Sequence, residues 1–268
     1  MKKTLDSTAL KAIACVLMFA DHVHQMFIHV GAPDWLTWLG RPVFILFLFT
    51  SAEAFHHTRS RSRYIRRLGI AAVALSVGFF ALPLLLPNPN VMLTNNAFAT
   101  FFIAALYMLF ADRLIEGIKA RDAWKIVSAA LLCLIPVISG LPVLMLDRFI
   151  GAADSMGLPM WMPLGIALAI PSVFTAEGGA LMIGIGVAFY LLRGNRWAQV
   201  AALAAASLYV FIVSWPDLLA QPQWMMVFAA IPMLMYNGQK GRGMKSFFYI
   251  FYPAHIVGLY LVSTLVFR

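Results

Sequence analysis

Long apolar runs decide what this chain can fold into. They recur throughout its 268 residues, each roughly 17–25 residues long and so able to cross about 30 Å of hydrocarbon as a helix. Hydrocarbon offers no water to backbone N–H and C=O groups, so runs of this length specify α-helices. Composition agrees: 62% of residues are hydrophobic and 12% charged, against about 45–50% and about 25% in an ordinary soluble domain. The expected fold is all-α, a polytopic integral membrane helical bundle forming one domain over residues 1–268.

The formal charge of +9 does not point to nucleic acid, because most Lys and Arg residues lie between the apolar runs, where topology explains them. Spans are expected over Thr8–Val30, Trp35–Phe55, Leu68–Leu86, Ala97–Glu116 and Trp124–Leu146. Glu177–Leu192, Trp197–Trp215, Trp224–Tyr236 and Phe247–Val266 follow, with a re-entrant or interfacial piece around Met160–Phe174. That makes about nine spans, within a range of eight to ten, since Pro136, Pro142, Pro163 and Pro171 interrupt helices. Placing the basic clusters inside, from Lys2 and Lys3 to Lys240, Arg242 and Lys245, sets the N-terminus in the cytoplasm and Arg268 outside. Cys15 and Cys133 fall within spans and imply no disulfide framework.

Ionisable residues inside the spans carry the functional signal, because each costs several kcal/mol there. The first span holds Lys11, Asp21, His22, His24 and His29; the second holds Arg41 and Glu53; the last holds His255; Glu177 begins the sixth. Lys11 and His22 are eleven residues apart, about three helical turns, so they share a face with about 16 Å between them along the axis. Asp21 lies about 100° round from His22 and does not face it; it can reach His24 or Gln25 instead. If the first two spans form an antiparallel hairpin, Arg41 is level with Asp21 and His22, and Glu53 with Lys11. Two ionic layers follow, and the deeper one can orient and tune a histidine base. The basic segment from His57 through Arg59, Arg63 and Arg67 satisfies the positive-inside rule, and it also suits the phosphates of an acyl carrier. No metal is expected: Asp21, His22 and His24 spread too widely round one helix, and there is no His-Glu-x-x-His or Cys-x-x-Cys.

Three blocks bear a family likeness. Leu10-Lys11 through Asp21-His22, Gly40-Arg41-Pro42 through Glu53 and His57 to Arg67-Leu68, and Lys245 through Tyr252-Pro253-Ala254-His255 resemble the signature of TraX proteins. The family includes the enzyme that N-acetylates the N-terminus of conjugative pilin, within a wider class of multispan membrane acyltransferases that use acyl-CoA. Many of that class carry a basic residue, ten intervening positions and then the catalytic His, a spacing Lys11 and His22 reproduce. Ile45 and Ala54 stand where the family usually has Pro and Gly, which marks a distant branch. The resemblance implies a multi-pass enzyme of the cytoplasmic (inner) membrane, with acetyl-CoA as co-substrate and a membrane-inserted pilin or similar peptide as acceptor. It implies His22, Asp21, Arg41 and His255 as catalytic residues, and Lys11, Glu53, His57, Arg59, Arg63 and Arg67 along the approach of the donor. An O-acyltransferase for an extracytoplasmic glycan and a proton-coupled transporter are the alternatives, the latter because such relays also use intramembrane ionisables.

Overall fold

The computed structural model describes residues 3–94 and 96–267. Helices α1 (Ser7–Phe27), α2 (Trp35–His57), α3 (Arg61–Leu85) and α4 (Ala97–Ala120) come first. The shorter α5 (Ala123–Ile138), α6 (Leu141–Leu144), α7 (Leu146–Ser155), α8 (Trp161–Ala169) and α9 (Gly179–Leu191) follow. After α10 (Arg196–Val213), a 3-10 helix over Pro222–Ala229 leads into α11 (Ala230–Leu234), and α12 (Lys245–Val266) closes the order. The chain is a membrane protein: among the described residues six helices are long and apolar enough to cross a bilayer, and Ala123–Ile138, Gly179–Leu191 and Pro222–Leu234 are shorter apolar helices. The expected positions of Lys2 and Arg268 fall outside the described residues, as does the side chain of Lys245.

Several expected spans are shorter than the apolar pattern suggests. The run Trp124–Leu146 is not one helix, because α5 stops at Ile138 and Pro142 stands in the first turn of α6, where a missing N–H costs nothing. Gly140, between them, sits against the Phe174 ring, which a Cβ there would strike. Glu177 lies in the turn before α9 rather than inside a span. The run Trp224–Tyr236 is divided between the 3-10 helix and α11, as suits a segment in which Pro222 and Pro232 withhold two backbone donors.

Helix starts follow capping chemistry. Asp6 caps α1 by accepting from the Ala9 N–H at 2.8 Å, and Asn96, Asp122 and Asn195 cap α4, α5 and α10 in the same way. The chain divides into two compact units, one of Met1–Glu53, Leu86–Met92 and Ala188–Arg268, the other of Ala54–Leu85 and Leu93–Val187.

In the first unit α1 packs on α12, and α10 packs on the 3-10 helix and α11. The face of α1 that is buried repeats at near-helical spacing through Leu10, Ala14, Met18, His22 and Met26. Ahead of α1 the chain runs parallel to the segment after α11: Leu5 N–H donates to Met235 O at 3.0 Å, and Asn237 N–H donates to Leu5 O at 2.8 Å. The segment Leu86–Met92 is tied to α12 by the Tyr260 hydroxyl donating to Leu86 O at 2.7 Å and by Asn88 donating to Thr264 Oγ1 at 3.1 Å. Ser263 in turn donates to Met26 O at 2.8 Å, which holds α12 and α1 in register.

The second unit is built on α3, α4 and α5, with α8 against α3. Gly69 faces the Phe102 ring and Gly165 faces Phe80, close approaches that a side chain would prevent. Asn96 donates to Ala72 O at 2.9 Å, and Tyr107 donates to Cys133 O at 3.0 Å. Arg61 pairs with Asp112 at 2.7 Å, and Lys125 approaches Asp122 at 4.0 Å.

Candidate active site

His22 is 4% exposed and His255 8% exposed, and their rings meet: His22 Nδ1 and His255 Nε2 are 2.8 Å apart. Each arrives by helical spacing, His22 on the buried face of α1 and His255 on the α12 face that also buries Tyr252, Ile256 and Tyr260. His255 Nδ1 lies 2.6 Å from the carbonyl oxygen of Phe251, one turn back on its own helix.

That carbonyl settles the tautomers of the neutral pair. An oxygen only accepts, so His255 Nδ1 carries a proton and donates it to Phe251 O. His255 Nε2 is then a lone pair, and His22 Nδ1–H donates to it. His22 Nε2 is therefore left with its lone pair available. Aromatic rings fix the partner: Phe251 stacks on His255 at 4.6 Å between centroids with 15° between planes, and Phe19 and Tyr252 pack at 6.3 and 6.1 Å.

Asp21 and Arg41 form a separate cluster. Arg41 Nη2 donates to Asp21 Oδ1 and to Thr37 Oγ1, both at 2.9 Å. Arg41 Nε donates to Thr37 O at 2.9 Å and Nη1 to Gln223 Oε1 at 3.3 Å. Gly40 is required here, because a Cβ at that position would overlap the Asp21 carboxylate. Arg41 and Asp21 are thus level, as the hairpin reading expects, and Asp21 does not touch His22. Neither helical neighbour is the partner of Asp21: His24 meets Asp34 at 3.1 Å, and Gln25 donates to Met92 O at 3.4 Å. His29 Nε2 lies 3.2 Å from Phe267 O.

The shallower layer differs from the expected pairing of Lys11 with Glu53. Glu53 Oε1 meets Arg196 Nη1 at 3.6 Å, and Arg196 also donates to Gln199 Oε1 at 2.6 Å. The guanidinium lies over Phe49 at 4.3 Å and over Tyr236 at 5.1 Å, a cation–π setting that suits its flat charge. Gln199, fully buried, passes the network on by donating to Phe189 O at 2.6 Å. Lys11 instead sits 5.7 Å over the Phe248 ring. Arg196, Gln199, Gln223 and Thr37 escape the sequence reading. Arg196 carries one signal, a cation in the first turn of an apolar helix, but it is equally a topology marker.

The remaining basic residues belong to the second unit. His57, Arg59 and Arg63 are exposed, and Arg67 is half-buried with its Nε lacking a hydrogen-bond partner. Ser60, Ser62, Arg63 and Arg66 line a cleft of about 270 Å³ at the start of α3. Among the described residues no three His, Cys, Asp or Glu side chains are grouped to hold a metal ion.

Comparison with curated proteins and with solved structures yields no match. The family model described as TraX protein matches residues 6–263, and the chain belongs to the TraX protein family.

Proposed function

We propose that this protein is an acyltransferase of the cytoplasmic membrane, moving an acetyl group from acetyl-CoA to the N-terminal amine of a membrane-inserted pilin or similar peptide. TraX membership, with the family's association with pilin acetylation, supports the substrate class. The observation that carries the chemistry is the His22–His255 pair, 2.8 Å apart and anchored on Phe251 O.

In this reading the acceptor nitrogen attacks the thioester carbonyl carbon while His22 Nε2 takes a proton from that nitrogen. The new C–N bond forms, the C–S bond breaks, and the proton is returned to the departing thiolate sulfur. His255 stabilises the intermediate imidazolium, because the His22 Nδ1 proton can be shared with His255 Nε2. His255 Nε2 is turned to His22 as an acceptor. Asp21 and Arg41 hold the α1–α2 geometry. Lys11 supplies positive charge for the phosphates of the donor, and Glu53 serves by keeping Arg196 in place.

The test is transfer of radiolabel from acetyl-CoA to a pilin N-terminal peptide by the purified protein in detergent. Label incorporation that disappears in His22→Ala is the expected result. Transfer unchanged in that variant defeats the mechanism, and proton-dependent uptake without transfer moves the protein to the transporter class.

A further inference from the structure

The start of α3, in the second unit, carries basic side chains that no acid closes. Ser60, Ser62, Arg63 and Arg66 line the cleft of about 270 Å³ there, the space of roughly nine waters. Among the described residues Arg61 pairs with Asp112, but no carboxylate forms an ion pair with Arg63, Arg66 or Arg67. Arg67 Nε is sealed from solvent without a hydrogen-bond partner. Arg63 stands three and four positions before Arg66 and Arg67, the spacing at which side chains on one helix are neighbours and like charges repel. An anion among them offsets that repulsion. Ser60 Oγ accepts from the Arg63 N–H at 3.4 Å, which leaves its O–H free to donate. Topology asks only for positive charge near the end of a span; it does not ask for hydroxyls and guanidinium groups round one recess.

The rest of the same helix face identifies what carries the anion. Ile70, Val73, Val77 and Leu84 are exposed, and they follow Arg63 and Arg66 at steps of three, four and seven residues. All six positions therefore lie within about a quarter of the helix circumference. The buried residues Ile65, Leu68, Ala72, Leu75 and Phe79 occupy the opposite side. Arg66 and Val77 are eleven residues apart, about 16 Å along the axis, which matches one leaflet, half of the roughly 30 Å hydrocarbon core. A water-borne phosphate compound has nothing to lay on that apolar stripe. A phospholipid does.

We infer that the recess at the start of α3 binds the phosphodiester of an anionic phospholipid, with Arg63 and Arg66 gripping the phosphate and Ile70, Val73 and Val77 bedding an acyl chain. A guanidinium fork matches the two free phosphate oxygens, and the serine hydroxyls donate to the oxygens beside them. An anionic headgroup is favoured because a zwitterionic one brings its own ammonium to the phosphate.

The test titrates fluorescent dioleoylphosphatidylglycerol into the purified full-length protein, in nonionic detergent mixed with dioleoylphosphatidylcholine. Arg63 and Arg66 are exposed, so their replacement leaves the packed side of α3 intact. Each is expected to contribute about fivefold to affinity, so Arg63→Gln with Arg66→Gln should raise the Kd about 25-fold. Arg113→Gln with Lys119→Gln removes the same charge from exposed positions near the end of α4 and should leave the Kd within about twofold. Unlabelled dioleoylphosphatidylglycerol should displace the probe, while glycerol 3-phosphate and coenzyme A compete at least about 100-fold less well, having no chain for the stripe. An unmoved Kd in the Arg63 and Arg66 double variant overturns the site. So does an equal rise in the α4 control, which leaves charge alone as the cause, and so does competition by coenzyme A as strong as by the lipid, which returns the arginines to the acyl donor. None of these readouts involves acetyl transfer, so they stand or fall apart from the acyl-transfer reading.

Discussion

Two kinds of polar centre share the first compact unit, and they differ in what they leave unsatisfied. In the charged clusters, Arg41 spends its donors on Asp21, Thr37 and Gln223, and Arg196 spends its own on Glu53 and Gln199 between two aromatic faces. Every guanidinium there is closed by a carboxylate and an amide. The His22–His255 pair is built oppositely: two rings of a type that can be neutral share one hydrogen bond, the chain of bonds ends on a backbone carbonyl, and one ring nitrogen stays open. Charge in a poorly solvated setting must be paired to be stable, whereas acid–base chemistry needs a lone pair that is not already engaged. The closed clusters therefore hold helices together, and the open pair is where a proton can be moved.

That contrast breaks most visibly at His22. Replacement by Ala should lower the transfer rate about 10³-fold, read as label incorporated per minute at saturating acetyl-CoA. His255→Ala should cost about 10²-fold in kcat with the KM for acetyl-CoA unmoved, since the base remains but its tautomer is no longer held. His255→Gln sharpens the point: an amide oxygen can accept from His22 Nδ1–H without taking the proton, so recovery of about tenfold over Ala separates orientation from proton sharing.

The closed clusters should answer in stability instead. Asp21→Asn removes the counter-ion of Arg41 and should cost about 1–3 kcal/mol, seen as a lower melting temperature in detergent. Gly40→Ala should act in the same direction, because its methyl displaces the Asp21 carboxylate. The smallest effect is expected for Glu53→Gln, about 1 kcal/mol with kcat within about twofold of wild type. A loss of kcat in Glu53→Gln as large as that in His255→Ala would erase the distinction between holding and reacting groups.

What could be read in advance follows the range of each interaction. Helical spacing put Lys11 and His22 on one face and turned Asp21 away from His22, because positions along one helix depend on rise and twist alone. The hairpin register brought Arg41 level with Asp21, since α1 and α2 are joined by a short connection and equal depth then follows from counting. The partner of His22 was not readable. His255 lies 233 residues away, and no rule of spacing relates α12 to α1. Glu53 shows the same limit: counting placed it beside Lys11, and packing gave it Arg196 from α10 instead. The span pattern was overdrawn for a different reason. Hydropathy registers apolar residues but not where a proline withholds a donor, so Trp124–Leu146 and Trp224–Tyr236 read as continuous and are broken in the fold.

The amino-acid sequence by itself determined that this is an all-helical membrane protein of the TraX family, with ionisable residues set into its first two long helices and its last. Those properties depend on composition, run length and local motifs, which need no folded context. Tertiary structure decided which of those residues act together. It set His22 against His255, gave that pair its tautomers through the Phe251 carbonyl, and closed Arg41 and Arg196 onto carboxylates. The physical reason is that a proton or a charge responds to groups within a few ångströms, and only packing brings distant parts of a chain that close.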